Sequence, residues 1–355
     1  MVNARFWKNR KVFITGHTGF KGSWMCVWLH ALGARITGYA LNPPTDPNLF
    51  HLAKVGPLMD SLRGDVRDRE KLAQAVRKSK PEIVFHLAAQ PLVRESYSNP
   101  YETYEINVCG TVSLFEAVRK AGSVRAVVNV TTDKCYENKE WLWGYRENDI
   151  LGGYDPYSNS KACSELATTA VRSSFFHPRE YRTHHTAIAT ARAGNVIGGG
   201  DWAADRLVPD CIRSLLNNKQ IILRSPQAIR PWQHVLEPLC GYLMLAERLY
   251  QDGPAFGEGW NFGPDEQDCL PVEEVVRLLC AQWPGNKGYE IDRRKKPHEA
   301  ALLKLDFAKA KTLLGWRPKW NIEQAVDAVI EWTLAYNKKE SMRKICLRQI
   351  ESYSA

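Results

Sequence analysis

Lys11-Val-Phe-Ile-Thr15, followed at once by Gly16-His-Thr-Gly19-Phe-Lys-Gly22, carries the strongest indication of the fold class. The apolar run Val-Phe-Ile predicts a buried strand. Glycines spaced G-x-x-G-x-x-G let the chain turn tightly and approach a pyrophosphate, whose charge the N-terminus of a following helix can hold. The segment therefore predicts a dinucleotide-binding turn between a strand and a helix. The alternative is a glycine-rich turn without a ligand.

Outward from this segment, strand and helix patterns alternate through the first half of the chain. Strands are predicted at 35–41, 58–63, 82–87, 125–130 and 186–192, and helices at 21–32, 68–78, 100–121 and 157–174. Such alternation is typical of a parallel sheet covered by helices on both faces. We expect an α/β fold with a Rossmann-type doubly wound parallel sheet over residues 1–193. The pattern becomes irregular from Gly194, so residues 194–355 predict a smaller mixed α/β substrate-binding lobe, with some segments returning to the large domain.

Composition limits the classes of partner. The formal charge is +9, but the densest basic cluster is only four residues long, Arg293 to Lys296, and no aromatic–basic motif accompanies it. We therefore expect no nucleic-acid partner. The nine cysteines show no C-x-x-C pair or zinc-ligand spacing, so no metal is predicted. No run approaches the ~20 apolar residues of a membrane span, and no signal region is visible, so we expect a cytoplasmic protein.

Tyr157-Ser-Asn-Ser-Lys161 is the most specific chemical pattern. Residues four apart share one helix face, so Lys161 can lie beside the Tyr157 phenol, lower its pKa and let it act as a base. The Thr132 hydroxyl, just beyond the predicted strand 125–130, completes a trio suited to removing a proton from an alcohol. The spacing alone is common by chance, and the glycine turn upstream gives it weight.

Other strand ends supply candidate cofactor contacts, each with a structural alternative. Asp65 can reach an adenine edge or cap a helix, and small residues after strand 82–87 can admit a ribose or simply pack. Asn107 interrupts an apolar helix stripe, either to contact the cofactor or to bond another helix. The predicted cofactor-binding set is Gly16, His17, Gly19, Phe20, Gly22, Asp65, Val66, Leu87, Ala88, Ala89, Asn107, Thr131, Tyr157 and Lys161.

Two features depart from the usual dinucleotide pattern. Tyr39-Ala-Leu-Asn42 contains no carboxylate where the second strand ends, so the residues do not distinguish NAD from NADP. His17 is bulky for the glycine turn. It is either a residue that weakens or gates cofactor binding, or a surface loop residue.

Taken together, these segments resemble the extended short-chain dehydrogenases/reductases that act on nucleotide sugars. The likeness continues through Arg192 to Asn195, Arg230-Pro-Trp-Gln-His-Val235, Asn261-Phe-Gly-Pro264 and Leu314-Gly-Trp-Arg-Pro318, and so covers nearly the whole chain. The resemblance implies an NAD cofactor. It also implies a homodimer through a four-helix interface built from the helices at 100–121 and 157–174.

Thr132-Asp133-Lys134 selects among the reactions of that group. In the sugar-nucleotide 4,6-dehydratases the residues after the threonine are an acid/base pair, and an Asp-Lys pair resembles the branch that acts on CDP-D-glucose. The resemblance implies that Tyr157 and Lys161 serve oxidation at C4, that neutral Lys134 removes the C5 proton, and that protonated Asp133 releases the 6-hydroxyl as water. The alternative for Asp133-Lys134 is a charged surface turn.

Substrate binding is expected in the second half, because arginine suits the oxygens of a diphosphate. The candidates are Asn195, Arg213, Arg224, Arg230, Arg294 and His298, with an ordinary surface charge as the alternative for each arginine. Competing functions are a nucleotide-sugar 4-epimerase, a dehydratase for a different nucleotide hexose, and a dinucleotide sensor that has lost catalysis.

Overall fold

The computed structural model describes residues 1–292 and 300–355. Its strands are β1 Lys11–Thr15, β2 Arg35–Ala40, β3 Asp60–Arg63, β4 Ile83–His86, β5 Ala126–Val130, β6 Ala187–Arg192, β7 Val196–Ile197, β8 Ile221–Leu223, β9 Ile229–Pro231, β10 Gln233–His234, β11 Gly259–Asn261, β12 Cys269–Pro271 and β13 Tyr289–Ile291. Its α-helices are α1 Ala4–Trp7, α2 Phe20–Ala31, α3 Leu49–Leu52, α4 Arg69–Ser79, α5 Val93–Ser98, α6 Pro100–Tyr104, α7 Gly110–Ala121, α8 Pro156–Phe175, α9 Tyr181–His184, α10 Leu207–Leu216, α11 Leu236–Asp252, α12 Val272–Gln282, α13 Ile322–Asn337 and α14 Met342–Ser354.

A seven-stranded parallel sheet organises the large domain, in the order β11-β6-β5-β4-β1-β2-β3. The six strands predicted from the first half are confirmed to within two residues. The seventh, β11, comes from the second half and pairs with β6, so this segment returns to the large sheet.

Helices cover both faces of the sheet because its strands are apolar on both sides. Val12 and Ile14 of β1 pack into the core that contains α2, α11, α13 and α14, whereas Phe13 between them packs into the core beneath α4 and α7. The doubly wound α/β prediction is therefore confirmed.

The single helix predicted over 100–121 is interrupted. A π-helical turn at Glu105–Cys109 separates α6 from α7, and Asn107 lies within it. Such turns insert one residue into the helical repeat and re-aim a side chain. The Asn107 amide consequently points at the protein interior, where it is 1% exposed.

Parallel strands bring their carboxyl ends to one edge of the sheet, where ligands of this fold bind. Gly16, Leu87, Thr131 and Ala193 each follow directly after one of four adjacent strands, β1, β4, β5 and β6. The small sheets β7–β10, β9–β12 and β8–β13 come from the second half of the chain. Among the described residues, no helix is long and apolar enough to cross a membrane.

Candidate active site at the carboxyl edge of the sheet

The glycine turn is shaped for close approach of a ligand. Gly16 has φ +76°, which favours glycine, and a Cβ there would lie 2.7 Å from the Ala88 backbone nitrogen. A Cβ on Gly22 would overlap the Gly16 carbonyl oxygen. Gly19 provides no side-chain cap at the N-terminus of α2, and the first turn holds no acidic residue. The described geometry therefore fits the pyrophosphate of a dinucleotide, held by backbone N–H groups.

His17 turns away from the position of that ligand. Its side chain is fully buried against Gly38 of β2, where a Cβ would overlap the imidazole ring, and its Nε2 lies 2.8 Å from Ser61 Oγ. Burial lowers the pKa of His17 to about 4, so the ring is neutral near pH 7. The surface-residue interpretation of His17 is wrong, because the absence of a side chain at position 38 makes room for the ring below the turn.

Two predicted cofactor contacts are engaged in bonds within the protein. Asp65 accepts hydrogen bonds from the backbone and guanidinium of Arg67, at 2.6–2.9 Å. Asn107 accepts from the Gln90 N–H at 2.9 Å and donates to the Gln90 carbonyl and to Ser160 Oγ. The bonds of Asn107 are those of the helix-contact alternative. Cofactor contact by either residue stays a prediction.

Tyr157 and Lys161 lie in the first turns of α8, as the spacing predicts, and both are buried. Their electrostatics differ from the expectation. Burial is the largest effect on the Tyr157 phenol and raises its pKa to about 12, whereas the Thr132 hydrogen bond and the Arg206 charge lower it. Lys161 Nζ donates to the Val130 carbonyl at 3.3 Å, and burial lowers its own pKa to about 8. The predicted net lowering of the Tyr157 pKa is therefore wrong, because desolvation outweighs the nearby charges.

Thr132 and Asp133 are held together at the end of β5. Thr132 Oγ1 donates to Asp133 Oδ1 at 2.9 Å and accepts from the Lys134 N–H, which begins the short 3-10 turn Asp133–Cys135. Asp133 is 2% exposed, and its Oδ2 has no hydrogen-bond partner among the described residues. The surface-turn alternative therefore does not hold for Asp133.

We call Thr131 to Lys134, together with the first turns of α8 from Tyr157 to Lys161, the catalytic wall. A buried ion pair that is not part of the predicted site supports this wall. Glu165, one helical turn after Lys161, bonds both Nε and Nη2 of Arg192 at 2.9 and 2.8 Å. The same carboxylate accepts hydrogen bonds from Thr131 and Thr190. The guanidinium and these hydroxyls hold the pKa of Glu165 below its usual value despite burial. The pair thus ties α8 to the ends of β5 and β6.

Most of the predicted catalytic and substrate-binding groups line one cavity of about 340 Å³, although Lys161 and Arg213 are not among its described lining residues. Of the predicted residues, the described lining includes Thr131, Thr132, Asp133, Lys134, Tyr157, Asn195, Arg224 and Arg230. The chain folds so that distant charged residues also line it, among them Lys21, Arg94, Asp201 and Arg206. Burial lowers the pKa of Lys21 to about 8, and Arg206 pairs with Asp201 at 3.1 Å. No local pattern marks Arg94 or Arg206, and Lys21 occupies a variable position of the glycine motif.

The remaining substrate candidates are elsewhere. Arg213 is not among the described lining residues. Its guanidinium donates to the Trp202 and Ala203 carbonyls and pairs with Asp210, so its donors are engaged by groups of the protein. Arg294 and His298 lie outside the described residues.

Known proteins resemble the chain over nearly its full length. Residues 13–329 match the model of the family described as GDP-mannose 4,6 dehydratase. A CDP-glucose 4,6-dehydratase of Salmonella typhimurium is 53% identical over 353 residues, which is 99% of this chain and 98% of that protein.

Solved structures share the fold at lower identity. A dTDP-glucose 4,6-dehydratase from Bacillus anthracis in complex with NAD has a TM-score of 0.74 at 21% identity, covering 94% of this chain and 99% of that one. A UDP-glucose 4-epimerase of Thermotoga maritima with UDP-glucose has a TM-score of 0.77 at 21% identity, covering 92% and 99%. Dehydratases and epimerases thus share this backbone, and fold alone does not separate their reactions.

Proposed function

The chain belongs to the GDP-mannose 4,6-dehydratase family, and from that membership we infer that it converts CDP-D-glucose into CDP-4-keto-6-deoxy-D-glucose and water. The observation that carries this substrate and reaction is the 53% identity to a CDP-glucose 4,6-dehydratase over 99% of the chain. The site is consistent with it, because Asp133 and Lys134 line the same cavity as Tyr157.

NAD is the cofactor, and when bound it would supply the reversible hydride chemistry needed for oxidation at C4 and reduction at C6. The glycine turn from Gly16 to Gly22 and the chain after β4 would hold it, since both present close backbone at the same sheet edge. The backbone N–H groups at the start of α2 would face its pyrophosphate.

We assign the proton transfers of the first half-reaction to Tyr157. Its phenol would accept the proton of the 4-hydroxyl. Thr132 and Arg206 both lower the pKa of the phenol, so they favour the deprotonated form against the cost of burial. Both interactions act on a phenol that is only 9% exposed, and electrostatic interactions are stronger in such a low-dielectric environment than in water.

The elimination falls to the next two residues on the same wall. The 4-keto group acidifies the C5–H bond, and neutral Lys134 would take that proton. Protonated Asp133 would donate to the 6-hydroxyl, which leaves as water, and the Lys134 ammonium would later return a proton to C5. The proton on Tyr157 would pass to solvent and Asp133 would regain one from solvent, so both groups return to their starting states. Arg230, Arg224 and Asn195 line the cavity where the nucleoside diphosphate would lie, and we add Arg206 to this set.

Mass spectrometry of the products formed from CDP-glucose and NAD in D₂O tests the proposal. We expect loss of one water, incorporation of one deuterium at C5 and no net reduction of the cofactor. Lys134→Met should abolish the loss of water, whereas Lys139→Met, at an exposed residue paired with Glu137, should not. A 4-epimer that keeps its 6-hydroxyl would support the epimerase, and turnover of dTDP- or GDP-sugars alone would support a different nucleotide hexose. Inertness toward all of them would favour the sensor.

We also propose a homodimer through α6, α7 and α8. These helices expose apolar side chains that a partner would cover, namely Tyr101 (76% exposed), Leu166 (56%) and Phe175 (51%). Light scattering should give twice the chain mass, and Leu166→Arg should shift it toward the monomer. A wild-type monomer at micromolar concentration would refute the proposal.

A further inference from the structure

Gly194 lies directly against the carboxylate of Asp133. A Cβ built on Gly194 would overlap Asp133 Oδ2 and lie 3.1 Å from Pro231 Cγ. The φ of Gly194 is not positive, so its backbone conformation is open to any residue. The position therefore requires glycine for space and not for conformational freedom.

The Asp133 carboxylate has little room to yield to such a side chain. The residue is 2% exposed, and its Oδ1 is held by the Thr132 hydroxyl at 2.9 Å. The gap above Gly194 is occupied by Oδ2, the oxygen without a hydrogen-bond partner among the described residues. Filling this gap would force the carboxylate to rotate away from Thr132 and from its present orientation.

We propose that Gly194 is a positioning residue for the elimination step, because its missing side chain keeps room for the Asp133 carboxyl group in the orientation that protonates the departing 6-hydroxyl. The inference rests on the proposed function, which gives Asp133 that role. Oxidation at C4 uses Tyr157, on which Asp133 acts only through Thr132 and through its charge, so a side chain at position 194 should slow the elimination far more than the oxidation.

Gly194→Ala tests the proposal, with Gly263→Ala as the matched control. The three atoms nearest to a Cβ on Gly263 all belong to Leu305, from 3.0 Å, and none of them belongs to Asp133. We expect Gly194→Ala to form the keto-deoxy product at least ~100-fold more slowly, the size of effect of losing a general acid. Reduction of the cofactor in a single turnover, followed by nicotinamide absorbance, should stay within about 3-fold of wild type. Gly263→Ala should leave both rates near wild type.

Two further variants keep the test decisive if Gly194→Ala is less stable than the wild type. They are Asp133→Asn and the double variant that combines Asp133→Asn with Gly194→Ala. If Gly194 acts through Asp133, adding Gly194→Ala to Asp133→Asn should cause no further loss of product formation. Full activity of Gly194→Ala beside an inactive Asp133→Asn would overturn the inference and leave the proposed function intact. Full activity of Asp133→Asn would instead remove the role of Asp133. Equal losses of both half-reactions in Gly194→Ala would mean a general structural defect and would also overturn the inference.

Discussion

The glycine turn and the substrate cavity adjoin the same edge of the sheet but are built in opposite ways. From Gly16 to Gly22 the glycines offer backbone to a ligand, and the imidazole of His17 is folded underneath the turn. The cavity beside it is lined by charged side chains from distant parts of the chain, including Arg94, Asp133 and Arg206, and by Lys21 of the turn itself. A site built from backbone depends on the absence of side chains at particular positions. A site built from side chains depends on which charged residues the fold brings together.

Among substitutions in the substrate cavity, Tyr157→Phe should have the largest effect on catalysis. Loss of the base that accepts the 4-hydroxyl proton should lower kcat by about 10³-fold, with little change in KM. Tyr97→Phe, in a tyrosine that lines the same cavity and is 46% exposed, serves as control and should change kcat less than 2-fold. Steady-state kinetics with CDP-glucose measures both, and comparable losses would contradict the assignment.

Glu165→Gln should have the largest effect on stability. It leaves the Arg192 guanidinium buried without its carboxylate, so the free energy of unfolding should fall by about 3–5 kcal/mol. Thr190→Val removes one hydrogen bond to the same carboxylate and should cost only about 1 kcal/mol. Urea unfolding gives both values. Equal losses of unfolding free energy in the two variants would show that the Glu165–Arg192 ion pair is not what stabilises the catalytic wall.

Lys161→Met should stabilise the protein in a pH-dependent manner. The pKa of Lys161 is lowered from 10.5 to about 8 by burial, so below pH 8 the folded state carries a buried ammonium that water would solvate better. Methionine removes that penalty, which is about 3 kcal/mol at most, while catalysis should be lost. The gain should be fully present at pH 7, decline between pH 8 and 10.5, and vanish above 10.5, where lysine is neutral in both states. Thermal unfolding across this range measures it, and a destabilised variant at pH 7 would contradict the expectation.

Gly22→Ala tests the glycine turn, the site that is built from backbone. Its Cβ would overlap the Gly16 carbonyl oxygen, so the turn must shift and NAD affinity should fall by about 30-fold, or ~2 kcal/mol. Gly56→Ala is the control, because its Cβ meets only Phe50, at ordinary distances of 3.5 Å and beyond. Calorimetric titration with NAD decides the matter. Unchanged affinity in Gly22→Ala would mean that close backbone approach does not govern binding.

The smallest effect that we predict is a difference between Arg206→Met and Arg213→Met in the KM for CDP-glucose. Arg206 lines the cavity and Arg213 bonds to backbone carbonyls away from it. We expect the KM for CDP-glucose to rise about 10-fold in the first, as for loss of one charged hydrogen bond, and less than 2-fold in the second. The reverse order would place the diphosphate elsewhere.

Much of the fold and part of the site were predictable from local patterns. Strand positions and the glycine turn depend on residues that are near neighbours in the chain, and so does the helical spacing of Tyr157 and Lys161. The π-helical turn at Asn107 and the seventh strand, Gly259–Asn261, were not predictable. A three-residue strand carries too little periodicity, and its pairing with β6 depends on the whole second half folding back.

Local sequence is sufficient to predict the fold class, the dinucleotide-binding turn and the residue types of the catalytic wall, because each is encoded over a few consecutive residues or one helical repeat. Folding in three dimensions buries His17, directs Arg206 toward Tyr157 while Arg213 does not line the cavity, and raises the pKa of the phenol by burial. It also brings Gly194 against Asp133. Desolvation and steric overlap arise only between atoms that folding brings together from distant parts of the chain, so no local pattern records them.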